Sequence, residues 1–278
     1  MRKIKIVADS SCDLFTLSLA DLSTAAMKIL TNEQEFVDDP TLDINAMVDY
    51  LYEYKGKSKS SCPNTNDWLT AFGDADDIFC VTITSGLSGS YNAACTAKQM
   101  YEAEHEGKRV FVLDTLSAGP EITLILEKLE KCIAAGMEYQ TICDEITAYR
   151  QKTGLVFMLK SLKNFANNGR VSPVVAKLVG IAGICIIGKA SEQGTLEPVH
   201  KCRGELRSLD AIVKYLENEG FRAGKISIGH CQNQAAAEQL KQRLLAKFQE
   251  ATIEIHAFRG LCSFYAEKGG VLVGFERR

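Results

Sequence analysis

The chain has 278 residues, of which 46% are hydrophobic and 24% are charged, a composition typical of a globular protein with a sizeable core. Its 32 Lys and Arg against 35 Asp and Glu give a formal net charge of −3. No basic run or stripe is visible, so the electrostatic footprint of a nucleic-acid-binding protein is missing. The N-terminal apolar stretch is too short for a signal peptide, and the most apolar window, residues 178–188, is too short to span a bilayer. We therefore expect a cytoplasmic protein with no nucleic-acid partner and no stable membrane insertion.

The ten cysteines and four histidines show no pattern that would hold a metal. No two cysteines form a C-x-x-C pair, and most lie inside apolar segments such as 79–81 and 184–186. They are better interpreted as small buried hydrophobic residues in a reducing compartment. The histidines are scattered and never fall at metal-ligand spacing. The sequence therefore predicts neither a metal site nor a cofactor.

Strand-like and helix-like segments alternate through the first half of the chain, which predicts a parallel sheet with helices on both faces. A helical stretch is expected before residue 25, and an amphipathic pattern with Asp43 as a cap predicts the next helix. The predicted strands are 4–8, 25–30, 77–83 and 109–114. The predicted helices from Asp43 onward are 43–54, 65–72, 91–106 and 120–135.

The second half reads as an α+β domain whose sheet is covered on one side. Its predicted strands are 154–158, 183–190, 195–202, 225–230, 253–258 and 270–275, with a hairpin turn at 191–194. Its predicted helices are 205–219 and 233–249. The expected fold is thus α/β, with an N-terminal parallel-sheet α/β/α domain (residues 1–153) and a C-terminal α+β domain (residues 154–278).

The most informative segment is the loop 84–90, Thr-Ser-Gly-Leu-Ser-Gly-Ser, between a buried strand and a helix. It presents backbone N–H groups and small hydroxyls at the positive end of the helix dipole, which suits a carboxylate, a phosphate or an oxyanion. Two other polar loops, 9–13 and 114–119, fall at the same carboxyl edge of the predicted sheet, where ligands bind in such folds. A purely structural loop, whose serines only cap the helix, is the alternative.

Three chemical functions fit such a loop. A serine hydrolase using Ser88 is disfavoured because Ser90 stands where the G-x-S-x-G elbow has its second glycine, and no histidine lies in a recognisable motif. A phosphotransferase is disfavoured because G-x-x-x-x-G-K-[ST] and G-x-G-x-x-G are both missing. Non-catalytic capture of a carboxylate needs only hydroxyls and a helix N-terminus. Ser60 and Ser61, on a turn fixed by Pro63, offer a second source of hydroxyls.

Several segments together resemble the DegV family over essentially the full length of the chain. The central loop and the Gly169-Arg170 turn are the most specific of them, and Lys201-Cys202-Arg203 falls where the family carries another arginine. The matching segments are 6–14, 60–63, 83–92, 113–115, 162–164 and 168–172.

The resemblance implies a two-domain protein that holds one long-chain fatty acid, such as palmitate, between its domains. Members of the family act as the fatty-acid-binding subunit of bacterial fatty acid kinase, so the protein would not be an enzyme itself. A separate ATP-binding kinase subunit would convert the presented carboxylate into an acyl phosphate. By position, Ser60 and Ser88 match the carboxylate-binding threonine and serine of the family. Arg170 and Arg203 match arginines implicated in engaging the kinase.

Tyr265 marks a departure from the family pattern. The family typically has a histidine followed by a glycine-rich run near the C-terminus, and aligning Gly269-Gly270 with that run puts Tyr265 at the histidine position. A tyrosine hydroxyl can donate to a carboxylate, but it cannot carry the charge of an imidazolium. We expect Tyr265 to act as a third carboxylate donor, and a tyrosine packed structurally in the core is the alternative.

Overall fold

Strands and helices follow one another along most of the chain. The computed structural model describes residues 2–171, 175 and 183–277, so residue 172 of the glycine-arginine turn and residues 178–182 of the apolar window lie outside the described residues. None of the described helices is long and apolar enough to cross a membrane. The strands are β1 (Ile4–Asp9), β2 (Leu22–Ala25), β3 (Lys28–Leu30), β4 (Glu35–Val37), β5 (Lys59–Ser61), β6 (Asp77–Thr82), β7 (Arg109–Asp114), β8 (Thr153–Leu159), β9 (Ile184–Ala190), β10 (Leu196–Arg203), β11 (Gly224–His230), β12 (Ala251–Ala257) and β13 (Val271–Glu276). The helices are α1 (Ile44–Glu53), α2 (Thr65–Phe72), α3 (Ser90–Glu104), α4 (Pro120–Ala134), α5 (Tyr139–Gln151), α6 (Lys163–Asn167), α7 (Glu205–Asn218), α8 (Gln234–Lys247) and α9 (Gly260–Ala266).

The first sheet is parallel throughout, in the order β2-β1-β6-β7. Alternate residues of its central strands face opposite layers of helices: Ile6 and Phe79 pack with α4 and α5, whereas Val7 and Ile78 pack with α2 and α3. Because both faces are covered, the strands are nearly continuous apolar runs. The expected parallel-sheet α/β/α domain is confirmed, and its polar loops meet at the carboxyl edge.

The second sheet has six strands in the order β10-β9-β8-β13-β11-β12 and is mostly antiparallel, with β11 and β12 running parallel. On β8, Val156 and Met158 face α7 and α8, whereas Leu155, Phe157 and Leu159 face the opposite side. The α+β character is confirmed, but the prediction that this sheet is covered on one side is wrong.

Helix α4 of the first domain covers part of that opposite face. Its start packs so closely against β13 that a Cβ on Gly274 would lie 2.5 Å from the backbone nitrogen of Glu121. A glycine is needed there because any side chain would push the two domains apart. The domain boundary near residue 154 remains a prediction; β8, which begins at Thr153, is the first strand of the second sheet along the chain.

The predicted strand 25–30 is wrong because the chain turns within it. The predicted strand 25–30 is two strands, β2 and β3, that join different sheets. Between them, the backbone nitrogen of Met27 donates to Ser10 Oγ at 3.0 Å, which holds the turn. Strand β3 instead forms a small antiparallel sheet with β4 and β5. This sheet carries Ser60.

The helix expected before residue 25 is also wrong. The short 3-10 turn Ser10–Cys12 ends at Asp13, whose φ of 59° is left-handed, and residues 13–21 form no helix. The segment is held instead by packing of Leu14 and Leu17 and by a hydrogen bond from the Leu19 nitrogen to Glu130. Helix α5 was not predicted, although Ile142 and Ile146 recur at helical spacing on its buried side.

The β9–β10 hairpin joins the two domains. Its predicted turn at 191–194 is confirmed, with the Gly194 nitrogen donating to the Ser191 carbonyl at 2.9 Å. Thr84 Oγ1 of the first domain donates to the Gly194 carbonyl at 2.8 Å. Gly194 has a φ of +70°, and Gly86 faces the Gln193 carbonyl so closely that neither site has room for a side chain. The hairpin therefore closes directly over the loop 84–90.

Candidate ligand-binding site

A deep cavity lies between the two domains, at the carboxyl edge of the parallel sheet. It contains about 830 Å³ of space free of protein atoms, with open solvent at its mouth included. Leu155, Phe157 and Leu159 of β8 line one side, and Ile83 and Leu261 lie on the first-domain and α9 sides. Such walls suit an elongated apolar ligand.

The lining also carries a polar group of side chains. Ser60 Oγ and Tyr265 Oη lie 2.7 Å apart and share a hydrogen bond, and Ser88 and Arg170 line the same cavity. The three hydroxyls come from β5, from α9 and from the loop before α3. The structure thus brings together the three residues that the sequence singled out as carboxylate ligands, although their role remains a prediction.

Ser60 is positioned by two neighbours. Strand β5 pairs with β3 so that Ser60 stands opposite Ile29, and the Asn168 Oδ1 accepts the Ser60 backbone N–H at 3.1 Å. The Asn168 amide also donates to the Ser58 carbonyl at 3.2 Å. The sequence analysis placed Asn168 in a matching motif but gave it no role. Its contacts extend over more than a hundred residues of chain, so no local pattern reveals them.

Tyr265 is half-buried against Phe165, with ring centroids 4.7 Å apart. Burial raises the pKa of its phenol above the ordinary value, although the Ser60 hydrogen bond and the Arg170 charge act in the opposite direction. The hydroxyl therefore stays neutral and protonated near pH 7, and it can donate a hydrogen bond to an anion.

Arg170 forms part of the cavity wall beside these hydroxyls. Its Nε donates to the Leu87 carbonyl at 3.0 Å, its Nη1 donates to the Asn168 carbonyl at 3.0 Å, and its guanidinium lies 5.6 Å from the Tyr265 ring centroid. No acidic side chain of the described residues forms an ion pair with it. The polar group therefore includes a positive charge that has no carboxylate partner among the described residues.

Arg203 does not line this cavity. It is exposed at the end of β10, in a shallow groove against α7 that also contains Lys201, Arg207 and Lys214. The acidic residue in the groove, Asp210, is paired with Arg243 at 2.9 Å. The groove is therefore a basic surface. Arg203 lies in this groove, whereas Arg170 lies in the cavity wall.

The loop that carries Ser88 is held at both ends by Asp9, which is buried. Asp9 Oδ2 accepts the Ile83 N–H at 2.9 Å and the Ser90 hydroxyl at 2.7 Å, and Oδ1 accepts from Ser11. The Ser90 nitrogen in turn donates to Ser88 Oγ at 3.3 Å. The expected meeting of the loops 9–13, 84–90 and 114–119 is confirmed, and this network orients the Ser88 hydroxyl.

This arrangement does not support a serine hydrolase. In the described part of the chain, none of the histidines lines the cavity. His230 bonds Gln234 at 2.9 Å, and His256 lies 3.5 Å from Ser227, its pKa lowered to about 4 mainly by burial. Ser88 consequently has no histidine general base.

Two further buried carboxylates hold the start of α9. Asp38 Oδ1 and Oδ2 accept the N–H groups of Gly260 and Leu261, each at 2.8 Å. Asp13 Oδ1 accepts the preceding N–H, that of Arg259, at 2.7 Å. Burial raises the pKa of both carboxyls, that of Asp13 to about 8. These two residues were not identified from the sequence as parts of the site.

The described residues contain no group of three or more His, Cys, Asp or Glu that could hold a metal ion. The described residues that line the cavity instead offer hydroxyl groups, the guanidinium of Arg170, the ammonium of Lys189 and an extended apolar wall. A cavity with these features suits an amphiphilic ligand.

Comparison with known proteins gives the family. A family model described as "Uncharacterised protein, DegV family" matches residues 3–278. A DegV domain-containing protein of Streptococcus pneumoniae (strain ATCC BAA-255 / R6) is 42% identical over 276 residues, which cover 98% of each chain. The chain therefore belongs to the DegV family.

Two solved structures are very similar to this chain. A DegV family protein from Eubacterium eligens loaded with heptadecanoic acid has a TM-score of 0.97 at 42% identity, covering 99% of this chain and 100% of that one. The Streptococcus pneumoniae fatty acid kinase (Fak) B3 protein loaded with linoleic acid has a TM-score of 0.96 at 41% identity, with the same coverage. The predicted DegV-like fold is thereby confirmed.

The raised pKa of Asp13 predicts how stability depends on pH. Because the folded pKa of about 8 exceeds the ordinary value near 3.9, the folded state binds more protons between these values, and stability falls as pH rises through that window. Asp13→Asn removes this titration and keeps a residue tolerated at left-handed φ. From pH 6 to 9, its unfolding free energy should fall by on the order of 2 kcal/mol less than that of wild type, measured by urea denaturation. If the unfolding free energies of Asp13→Asn and wild type change equally with pH, Asp13 does not have a raised pKa. Asp67→Asn, in the exposed cap of α2, is the control.

Proposed function

We propose that the protein binds one long-chain fatty acid, with the alkyl chain in the apolar cavity and the carboxylate at Ser60, Ser88 and Tyr265. The observation that carries the proposal is the pair of hydroxyls 2.7 Å apart in an otherwise largely apolar cavity. The fatty acids carried by the two very similar DegV structures support the same class of ligand.

The apolar tail would supply most of the affinity. Each buried methylene contributes about 0.8 kcal/mol, so ~14 of them contribute roughly 11 kcal/mol before costs. Ordering the flexible chain and losing translational freedom offset much of that gain. The hydroxyls therefore mainly fix which end of the ligand lies beside Arg170 and the loop 84–90.

We further propose that the protein is a non-catalytic subunit that presents this carboxylate to a separate fatty acid kinase subunit, which forms the acyl phosphate. The similarity to the Fak B3 protein supports this role, as does the missing histidine base beside Ser88 in the described residues. We propose a cytoplasmic location because all ten cysteines are free thiols, which indicates a reducing compartment.

The first test identifies any lipid bound in the cavity of the purified protein. The protein, expressed in bacteria, purified and then denatured, should release about one long-chain fatty acid per chain, identified by mass spectrometry. Release of no lipid, combined with no binding of any C14–C18 acid to delipidated protein, would overturn the proposal.

The second test concerns the headgroup. A hydrogen bond to a charged group contributes roughly 1.5–3 kcal/mol, so Ser88→Ala or Tyr265→Phe should weaken fatty-acid binding by about tenfold or more. The raised pKa of Tyr265 keeps its phenol protonated, so the loss of affinity caused by Tyr265→Phe should be the same at pH 6 and at pH 8 once the ionisation of the free acid is accounted for. Isothermal titration gives both results. If Tyr265→Phe binds fatty acid as tightly as wild type, Tyr265 has only a structural role. Thr96→Ala is the control, because it removes a hydroxyl group on α3 that does not line the cavity, and it should leave affinity unchanged.

The third test asks whether Arg170 and Arg203 contact the kinase partner or the bound fatty acid. We propose that Arg170 and Arg203 both serve the kinase partner, so Arg170→Ala and Arg203→Ala should retain bound fatty acid but lose most phosphorylation by a cognate kinase. Arg222→Ala, an exposed arginine that lines neither the cavity nor the groove, is the control. Loss of lipid from Arg170→Ala would reassign that residue to the ligand carboxylate, which its place in the cavity wall also allows.

A further inference from the structure

The segment that carries Tyr265 is held by an unusual contact at its start. Helix α9 is short, and Tyr265 lies five residues after Gly260, where the helix begins. Asp38, fully buried, accepts the N–H groups of Gly260 and Leu261 with its two separate oxygens, each at 2.8 Å. One carboxylate therefore grips two successive backbone donors and limits both sliding and rotation of the helix.

The residue at position 260 allows the close contact with Asp38. A Cβ at position 260 would lie 2.7 Å from the Asp38 Cγ, so only glycine lets the carboxylate approach. Asp38 is itself fixed, because its backbone nitrogen donates to the Met27 carbonyl at 2.9 Å. Asp13 adds a third anchor on the Arg259 N–H. A buried carboxylate is costly to desolvate, and a serine or asparagine could cap the helix at lower cost.

From these contacts we infer that Asp38 is a positioning residue for ligand recognition: it sets the place of Tyr265 Oη beside Ser60 and thereby the selectivity for an acidic headgroup. The inference rests on the proposed fatty-acid binding and deepens it. Asp38 lies outside the cavity lining, so it acts through α9. The other end of α9 is also held, because Glu267 Oε1 accepts the Asn164 N–H at 3.1 Å, so the helix is anchored at both ends.

The decisive measurement is selectivity rather than affinity alone. Asp38→Asn keeps the shape of the side chain but replaces one acceptor oxygen with an NH₂ group that faces a backbone donor. Dissociation constants for hexadecanoic acid and for hexadecanol would be measured on delipidated wild type, Asp38→Asn, Tyr265→Phe and the double variant. Asp38→Asn should weaken acid binding by about tenfold and change alcohol binding far less, and the double variant should bind the acid no more weakly than Tyr265→Phe alone.

The controls separate positioning from general destabilisation. Asp77→Asn removes another buried carboxylate, one that pairs with Arg2 and Arg109 at the opposite edge of the parallel sheet, and it should lower stability without changing acid-over-alcohol selectivity. Should Asp38→Asn fail to fold, Asp38→Ser retains a helix cap with a single acceptor and should show the same loss of selectivity.

Two results would overturn the inference. Equal weakening of acid and alcohol binding would show that Asp38 only stabilises the fold, and additive losses in the double variant would show that it does not act through Tyr265. Both differ from failure of the proposed function itself, in which wild-type protein binds neither hexadecanoic acid nor hexadecanol.

Discussion

The site depends on buried carboxylates at one edge of the parallel sheet. Asp9 holds both ends of the loop that carries Ser88, and Asp13 and Asp38 hold the start of the helix that carries Tyr265. Each accepts hydrogen bonds from segments distant in the sequence, and each would be costly to bury without them. Such contacts tolerate little displacement, so hydroxyl groups from separate parts of the chain are kept at fixed positions beside an apolar cavity.

The parts of the fold that follow local rules were predictable from the sequence. Helix α2 and strand β7 have the predicted bounds, 65–72 and 109–114, because a helix after a turn and a short apolar strand are recognisable from local sequence. The meeting of the three polar loops also followed from the sequence, because parallel strands place all their carboxyl ends at one edge. Ser60 and Tyr265, which lie 205 residues apart, were paired by resemblance to the family and not by any local pattern.

The remaining parts depend on contacts that sequence periodicity does not encode. Asp38 lies in a polar stretch that resembles an exposed turn, yet its partners are 222 and 223 residues away. Residues 25–30 read as one strand because nothing in their composition shows that Ser10 bonds the Met27 nitrogen and turns the chain there. Asn168 was visible as part of an asparagine-glycine turn, but its hold on Ser60 needed the folded chain.

The hydroxyl groups at the proposed headgroup position carry no charge of their own. The hydroxyls of Ser60 and Tyr265 can bond a carboxylate, but they do not neutralise it. One positive charge in the same cavity wall is that of Arg170, whose guanidinium is fixed by the Leu87 and Asn168 carbonyls. Because burial raises the pKa of the phenol, its hydroxyl stays a hydrogen-bond donor both at pH 6 and at pH 8.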